Sequence, residues 1–169
     1  MALGDDVVTA LYDGYVDLPA KTLVGMSAQF VQSLLARMFV SSTPGMQTAV
    51  NGYLIDTGSQ RILVDTGSGT CFGPTMGGLA ANVRASGYQP EQIDAVLLTH
   101  MDPDHSAGLT DMSNGKLYFP NAELVMHEKE LPHWFDDSAM SKADERSQKM
   151  YFLAGREQVA PYKKQTRLF

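Results

Sequence analysis

The sequence predicts an α/β domain, and three observations carry that reading. Strand-like and helix-like runs alternate along the chain. The continuous apolar run Ala95-Val96-Leu97-Leu98 fits a fully buried strand. Met76, Leu79, Ala80 and Val83 recur at helical spacing, which marks an amphipathic helix packed on a sheet. In chain order, Val7–Val16 is the first strand candidate and Ala28–Phe39 a first helix. Ala49–Ile55 and Arg61–Asp65 are strands joined by the turn Asp56-Thr57-Gly58, so they should form a hairpin. Gly87 stands where the amphipathic helix needs a C-terminal cap. Ala95–Leu98 and Glu123–Met126 follow as strands, and Lys142–Leu153 reads as helix. No repeat, low-complexity tract or linker interrupts the pattern, so residues 1–169 form a single domain.

Composition narrows the function. A chain of 169 residues with 44% hydrophobic content can bury its own core. A net charge of −6 and a pI near 5.0 argue against nucleic acid, because phosphate binding needs a basic stripe and only Lys163-Lys164 cluster. The expected partner is therefore a small molecule, with no nucleic acid and no membrane. The single Cys71 excludes both a disulfide framework and a thiolate-rich zinc site, and reads as a buried free thiol. Met1–Asp6 lacks the basic start and apolar core of a secretion signal. A cytoplasmic location is expected, or a periplasmic one if a signal has been removed.

The chemistry is concentrated in Thr99-His100-Met101-Asp102-Pro103-Asp104-His105. Four potential metal ligands fall within six positions, directly after a buried strand, where open α/β sheets place their ligands. Imidazole with carboxylate suits zinc, iron or manganese, and ligands this crowded can serve one ion or two. The competing reading is a surface turn that happens to hold two His and two Asp. The loop Gly67-Ser68-Gly69-Thr70-Cys71-Phe72-Gly73 raises a dinucleotide site, but its third glycine falls one place late and no acidic residue ends a following strand at the required distance.

His100-x-Asp102-x-Asp104-His105, followed by Ser106-Ala107-Gly108-Leu109, resembles the H-x-H-x-D-H-x-x-G-(L/I) motif of the metallo-β-lactamase superfamily. Val64-Asp65-Thr66-Gly67 is similar to its D-T-G segment, and Asn51–Ile55 to the strand before that. Gly87–Asp94 and Phe119–Glu123 look most like the methyl parathion hydrolase and lactonase branch. The resemblance covers roughly residues 45 to 165. It implies an αββα sandwich of which this chain carries the N-terminal half only.

The same resemblance implies a hydrolase of small-molecule esters, lactones or phosphotriesters, acting through a metal-activated hydroxide. His100 and Asp102 would hold one divalent ion, most simply Zn²⁺, and Asp104 and His105 a second, with Asp104 also the catalytic residue that positions water. Iron or manganese could replace zinc. Asp65 would orient an imidazole from behind by hydrogen bonding, and otherwise reads as a turn cap. Phe72 and Trp134, with Phe135, are candidate substrate-pocket walls, or simply core. The motif's second His is Asp102 here, which places an anionic oxygen where the family has a neutral nitrogen. The flavodiiron branch carries an acid at that position, so a diiron redox site is a rival reading. The family's later His-Asp-His donors have no counterpart, since no histidine follows His133, and His127 and His133 read as solvent-facing or helix-packing. A non-catalytic or inactive truncated half-domain, or a partner subunit, is the third reading. A half-domain would leave an apolar sheet face bare, and so favour a homodimer or a complementing C-terminal segment.

Overall fold

In the computed structural model, which describes every residue except Ser42 and Pro44, two long antiparallel strands open the sheet. The elements run β1 (Ala2–Leu3), β2 (Asp6–Leu18), α1 (Ala28–Arg37), β3 (Met46–Asp56), β4 (Arg61–Val64), α2 (Leu79–Ala85), β5 (Ala95–Leu97), α3 (Pro103–Ser106), β6 (Thr110–Asp111), β7 (Lys116–Leu117), β8 (Glu123–Met126), α4 (Glu130–Trp134) and α5 (Asp137–Lys142). Continuous helical turns from Glu145 to Gln165 then lead to β9 (Thr166–Leu168). Seven strands make one sheet in the order β1-β2-β3-β4-β5-β8-β9, and β6-β7 is a separate hairpin.

β2, β3 and β4 pair antiparallel, whereas β4, β5, β8 and β9 run parallel. The predicted hairpin is present, its turn held by the Asp56 carboxylate accepting from Gly58 N at 2.8 Å. Parallel pairing puts the C-terminal ends of β4, β5 and β8 side by side, so the segments that leave them at Asp65 and Leu98 meet at one edge of the fold.

The two faces of the sheet differ. Register aligns Leu54, Leu63, Val96 and Leu124 in one row, each at most 1% exposed, against Leu79 and Val83 of α2 and the aromatic Phe119, Phe152 and Tyr162. The next row, Ala10, Tyr53, Val64, Leu97 and Val125, is also largely apolar, yet Tyr53 is exposed and Val64 and Leu97 are only half-buried. That second face is the one a sandwich covers with another sheet.

Three local departures from the sequence reading have clear causes. Asp65 leaves the strand with φ 59, so β4 ends at Val64. The predicted helix Lys142–Leu153 is interrupted at extended Ala143, because the Asp144 side chain caps a new turn by accepting from Ser147 N at 3.0 Å. α2 starts only at Leu79, since Gly77 has φ 89 and cannot extend the helix back to Met76. Among the described residues no helix is long and apolar enough to cross a membrane.

Candidate metal centre

The centre is organised by Asp65. A left-handed φ is uncommon outside glycine but several-fold enriched for Asp, and here it turns the carboxylate into the gap between β4 and β5, where the residue is 5% exposed. Oδ1 accepts from Thr99 N at 2.8 Å, and the Thr99 hydroxyl lies 3.1 and 2.9 Å from the two carboxylate oxygens. Oδ2 accepts from His105 Nδ1 at 2.8 Å.

These contacts decide the imidazole tautomers. The Thr99 hydroxyl has one proton, which the carboxylate takes, so toward His100 Nδ1, 3.0 Å away, Thr99 can only accept. His100 therefore carries its proton on Nδ1 and presents the Nε2 lone pair. His105 likewise keeps Nδ1–H on Asp65, which directs Nε2 outward. The two rings lie 4.1 Å apart, centroid to centroid. Each Nε2 faces a carboxylate: His100 meets Asp102 Oδ2 at 3.6 Å and His105 meets Asp104 Oδ2 at 3.2 Å.

The loop is built to hold this arrangement. Pro103 starts the single turn α3, in which His105 N and Ser106 N both donate to Asp102 O, and the Ser106 hydroxyl donates to Met101 O at 2.9 Å. Glu130 Oε2 accepts from Met101 N at 2.8 Å and from the Trp134 indole at 3.0 Å, tying the middle of the loop to α4. Gly108 is required for close approach, because a Cβ there would collide with the Thr66 carbonyl.

Charge follows geometry. Burial alone would lower the His105 pKa, but hydrogen bonds to Asp104 and Asp65 and their charges outweigh it and raise it to about 10. Burial pulls Asp104 upward, yet its bond to His105 and that ring's charge hold it below the usual carboxylate range. Asp102 is raised by burial, with the neighbouring Asp104 and Glu130 charges adding to the shift against the opposing imidazoles. Without a cation the His105 imidazolium thus neutralises Asp104, and a bound cation would replace the proton on His105 Nε2.

The residues fit a divalent transition metal in donor chemistry: two imidazoles whose Nε2 points away from the Asp65–Thr99 network, that of His105 ligating once its proton has left, and two carboxylates, paired one with one. Among the described residues, no three His, Cys, Asp or Glu side chains are arranged to enclose an ion. A closed coordination sphere needs donors beyond these pairs, or water. The pattern of the Metallo-beta-lactamase superfamily matches residues 45–167. The chain belongs to the metallo-beta-lactamase superfamily.

Within that superfamily, the hydrolase AbOPH superposes with a TM-score of 0.91 at 33% identity, covering 100% of this chain and 59% of AbOPH. AidC, a dizinc quorum-quenching lactonase, superposes at 0.88 with 24% identity and 60% of its length covered. The atrochrysone carboxyl ACP thioesterase dmxR1 of Cryptosporiopsis sp. (strain 8999) is 30% identical over 105 residues, which are 60% of this chain and 30% of that protein. The chain thus spans about 60% of these solved hydrolases and under a third of the curated relative. The sheet with its helices on one face is the half of the αββα sandwich that the sequence predicted.

The remaining candidate residues divide. Beside Asp104 and His105 opens a hollow of about 720 Å³, and Phe72 lines it together with Met76, Val50 and Tyr151. Trp134 lies elsewhere: it is 9% exposed, sits in the core and donates to Glu130, so it supports the metal loop and does not line this hollow. Phe135 lines a separate apolar hollow with Met126 and Leu131. His127 accepts from Lys129 N, and His133 packs edge-on against Trp134; both are exposed. Cys71 is half-buried, its thiol donating to Met112 Sδ and pushed up by burial.

Sequence reasoning missed three residues: Thr99 as the hydrogen-bond bridge between Asp65 and His100, Glu130 as the loop anchor, and Asp13. Asp13, 3% exposed in β2, accepts from Ser68 N, Leu79 N and Gly77 N and so clamps the loop carrying Phe72 and Met76. A carboxylate inside an apolar strand was its only signal.

Proposed function

We propose that this chain forms the N-terminal part of a metal-dependent hydrolase of small-molecule carboxylic esters, lactones or phosphotriesters. The observation that carries the reading is the Asp65 network, which engages Nδ1 of both imidazoles and aims His100 Nε2 and His105 Nε2 at Asp102 and Asp104, the His105 nitrogen ligating once a cation displaces its proton. His100 with Asp102 would hold one divalent ion, and His105 with Asp104 a second. Zinc is favoured by the imidazoles, whereas the anionic Asp102 leaves room for iron or manganese. Such an ion supplies Lewis acidity, polarising the scissile carbonyl or phosphoryl oxygen and acidifying water. Asp104, held ionised at neutral pH, accepts a hydrogen bond from the attacking water and orients it. The apolar wall of Phe72, Met76 and Tyr151 then seats the organic part of the substrate, in a volume typical of small-molecule sites. A lactonase and a thioesterase among the similar proteins support acyl transfer to water.

Because the described residues offer donor pairs and no closed cage, full activity is assigned to a form in which a further segment or subunit completes the coordination and covers the second sheet face. The test is turnover of a generic aryl ester, a lactone and a phosphotriester, measured with metal content before and after chelation. Zinc-dependent turnover abolished by His105→Ala supports the reading. Turnover indifferent to both chelation and His105→Ala contradicts it.

A further inference from the structure

The glycine loop that begins at Gly67, whose spacing argues against a dinucleotide, closes around an internal carboxylate instead. Asp13 Oδ2 accepts from Ser68 N at 2.9 Å and from Gly77 N at 3.3 Å, and Oδ1 accepts from Leu79 N, the first residue of α2, at 3.0 Å. Gly67, at φ 75, lies so close that a Cβ would collide with the Asp13 carboxylate. β2 is bent to deliver this group. Its register against β3 shifts between Tyr12 and Gly14, a bulge at which Asp13 is the extra residue and turns inward to 3% exposure. The same bulge grips the far end of the loop. Tyr15 N donates to Thr75 O, Gly78 N donates to Asp13 O, and the Thr75 hydroxyl donates to Tyr15 O at 2.7 Å. A Cβ on Gly14 would collide with the Thr75 carbonyl. The near end is tied to the ligand loop, where Thr66 N and its hydroxyl both donate to His105 O and Gly108 N donates to Gly67 O. Segment 67–78 therefore bridges the ligand loop and the β2 bulge, and it carries Phe72 and Met76 into the wall of the hollow beside Asp104 and His105.

We infer that Asp13 is a positioning residue for substrate: its carboxylate holds segment 67–78 as a fixed wall and thereby sets the length of organic group that the hollow accepts. The substrate class rests on the hydrolase reading above. Two observations select this role. An apolar side chain at position 13 would suit a core-facing strand, but it would leave the N–H groups of Ser68, Gly77 and Leu79 without their acceptor. A buried carboxylate is costly unless it is hydrogen-bonded, so what this residue supplies to the fold is the shape of the loop. The second observation is a division of labour along one connection. Asp65 orients the two imidazoles, whereas Asp13 touches neither of them and holds only the stretch that reaches the hollow. Loosening Asp13 thus blurs discrimination between substrates and leaves the metal donors in place.

The experiment compares wild type, Asp13→Asn and Thr75→Val as 169-residue chains. Acetanilide and butyranilide, neutral amides that resist hydrolysis, are titrated into each protein with and without zinc. The Met76 methyl resonance reports occupancy, and zinc content and circular dichroism are recorded alongside. In Asp13→Asn the new NH₂ must face at least one backbone N–H, and Thr75→Val removes an exposed hydroxyl that ties the same loop to β2. Two methylenes in a fixed apolar site give wild type at least a ~10-fold preference for butyranilide, which falls to about 3-fold or less in Asp13→Asn. Thr75→Val moves it in the same direction, and zinc content stays at the wild-type level in both. A preference unchanged in the folded variants overturns the inference. An equal loss of affinity for both anilides also overturns it, because a merely structural residue weakens all ligands alike, and so does a wild type in which neither anilide shifts Met76. If Asp13→Asn does not fold, Thr75→Val and hydrogen exchange of the wild type decide. The amides of Ser68, Gly77 and Leu79 exchange slowly when the carboxylate holds them, and free exchange overturns the inference. Zinc missing from wild type contradicts the metal-hydrolase reading, whereas the anilide preference without zinc judges Asp13 on its own.

Discussion

Replacing Asp65 with Asn isolates the feature on which the centre depends. Asn tolerates the left-handed φ of 59 and matches Asp in shape, so the backbone has no reason to move. The hydrogen-bond pattern does change. To keep Thr99 N on an acceptor, the new amide oxygen must take the Oδ1 position, which turns the NH₂ toward His105 Nδ1. Donor then meets donor at 2.8 Å unless the imidazole gives up its Nδ1 proton and keeps the one on Nε2, and that leaves no lone pair to direct at the metal. Loss of the charge-assisted bond costs roughly 1.5–3 kcal/mol of stability in the metal-free protein. Changing the partner that orients a ligating imidazole costs roughly 10- to 100-fold in metal affinity, or about 1.4–2.8 kcal/mol. The assay is a zinc competition titration against a chromogenic chelator, with ring-nitrogen chemical shifts of His105 reporting the tautomer. Wild-type zinc affinity in a folded Asp65→Asn protein, with the His105 proton still on Nδ1, would refute the reasoning.

Two further outcomes are expected. Asp102→His removes one negative charge beside His100 and adds a nitrogen donor, so zinc affinity rises in the same titration; no change would show that residue 102 points away from the ion. Tyr162→Phe deletes a fully buried hydroxyl that donates to Leu109 O at 3.0 Å and accepts from Phe119 N at 3.2 Å, which costs about 1–3 kcal/mol in urea unfolding. Burial pushes the Tyr162 phenol well above its ordinary value, so the wild-type chain loses stability as pH rises past the unfolded phenol pKa of about 10. The Phe variant loses less over the same alkaline range, and parallel pH profiles for the two proteins would exclude Tyr162 as the cause.

The parts of the fold legible in the sequence were those written in local pattern. The strand candidates Val7–Val16 and Ala49–Ile55, the Asp-Thr-Gly turn and the apolar run before His100 each specify their own backbone, and each appears with ends displaced by no more than three residues. The ligand loop was legible because its four donors lie within six positions. What stayed hidden depends on partners distant in sequence. Asp13 meets its donors 55 to 66 residues away, and Glu130 meets Met101 29 residues away. Trp134 was misplaced for the same reason: helical spacing says that one face is apolar, whereas the Glu130 carboxylate decides where the indole points. The break at Ala143 reflects a local competition that periodicity ignores, since Asp144 gains more by capping a new turn than by continuing the old one.

The central claim is that His100, Asp102, Asp104 and His105 form a metal-binding loop, and elemental analysis tests it most directly. The wild-type chain and His105→Ala are each equilibrated with zinc, freed of excess ion and compared by zinc content, with circular dichroism confirming that both are folded. Zinc is expected in the wild type, with most of it lost in the variant. Equal zinc in the two proteins would contradict that claim.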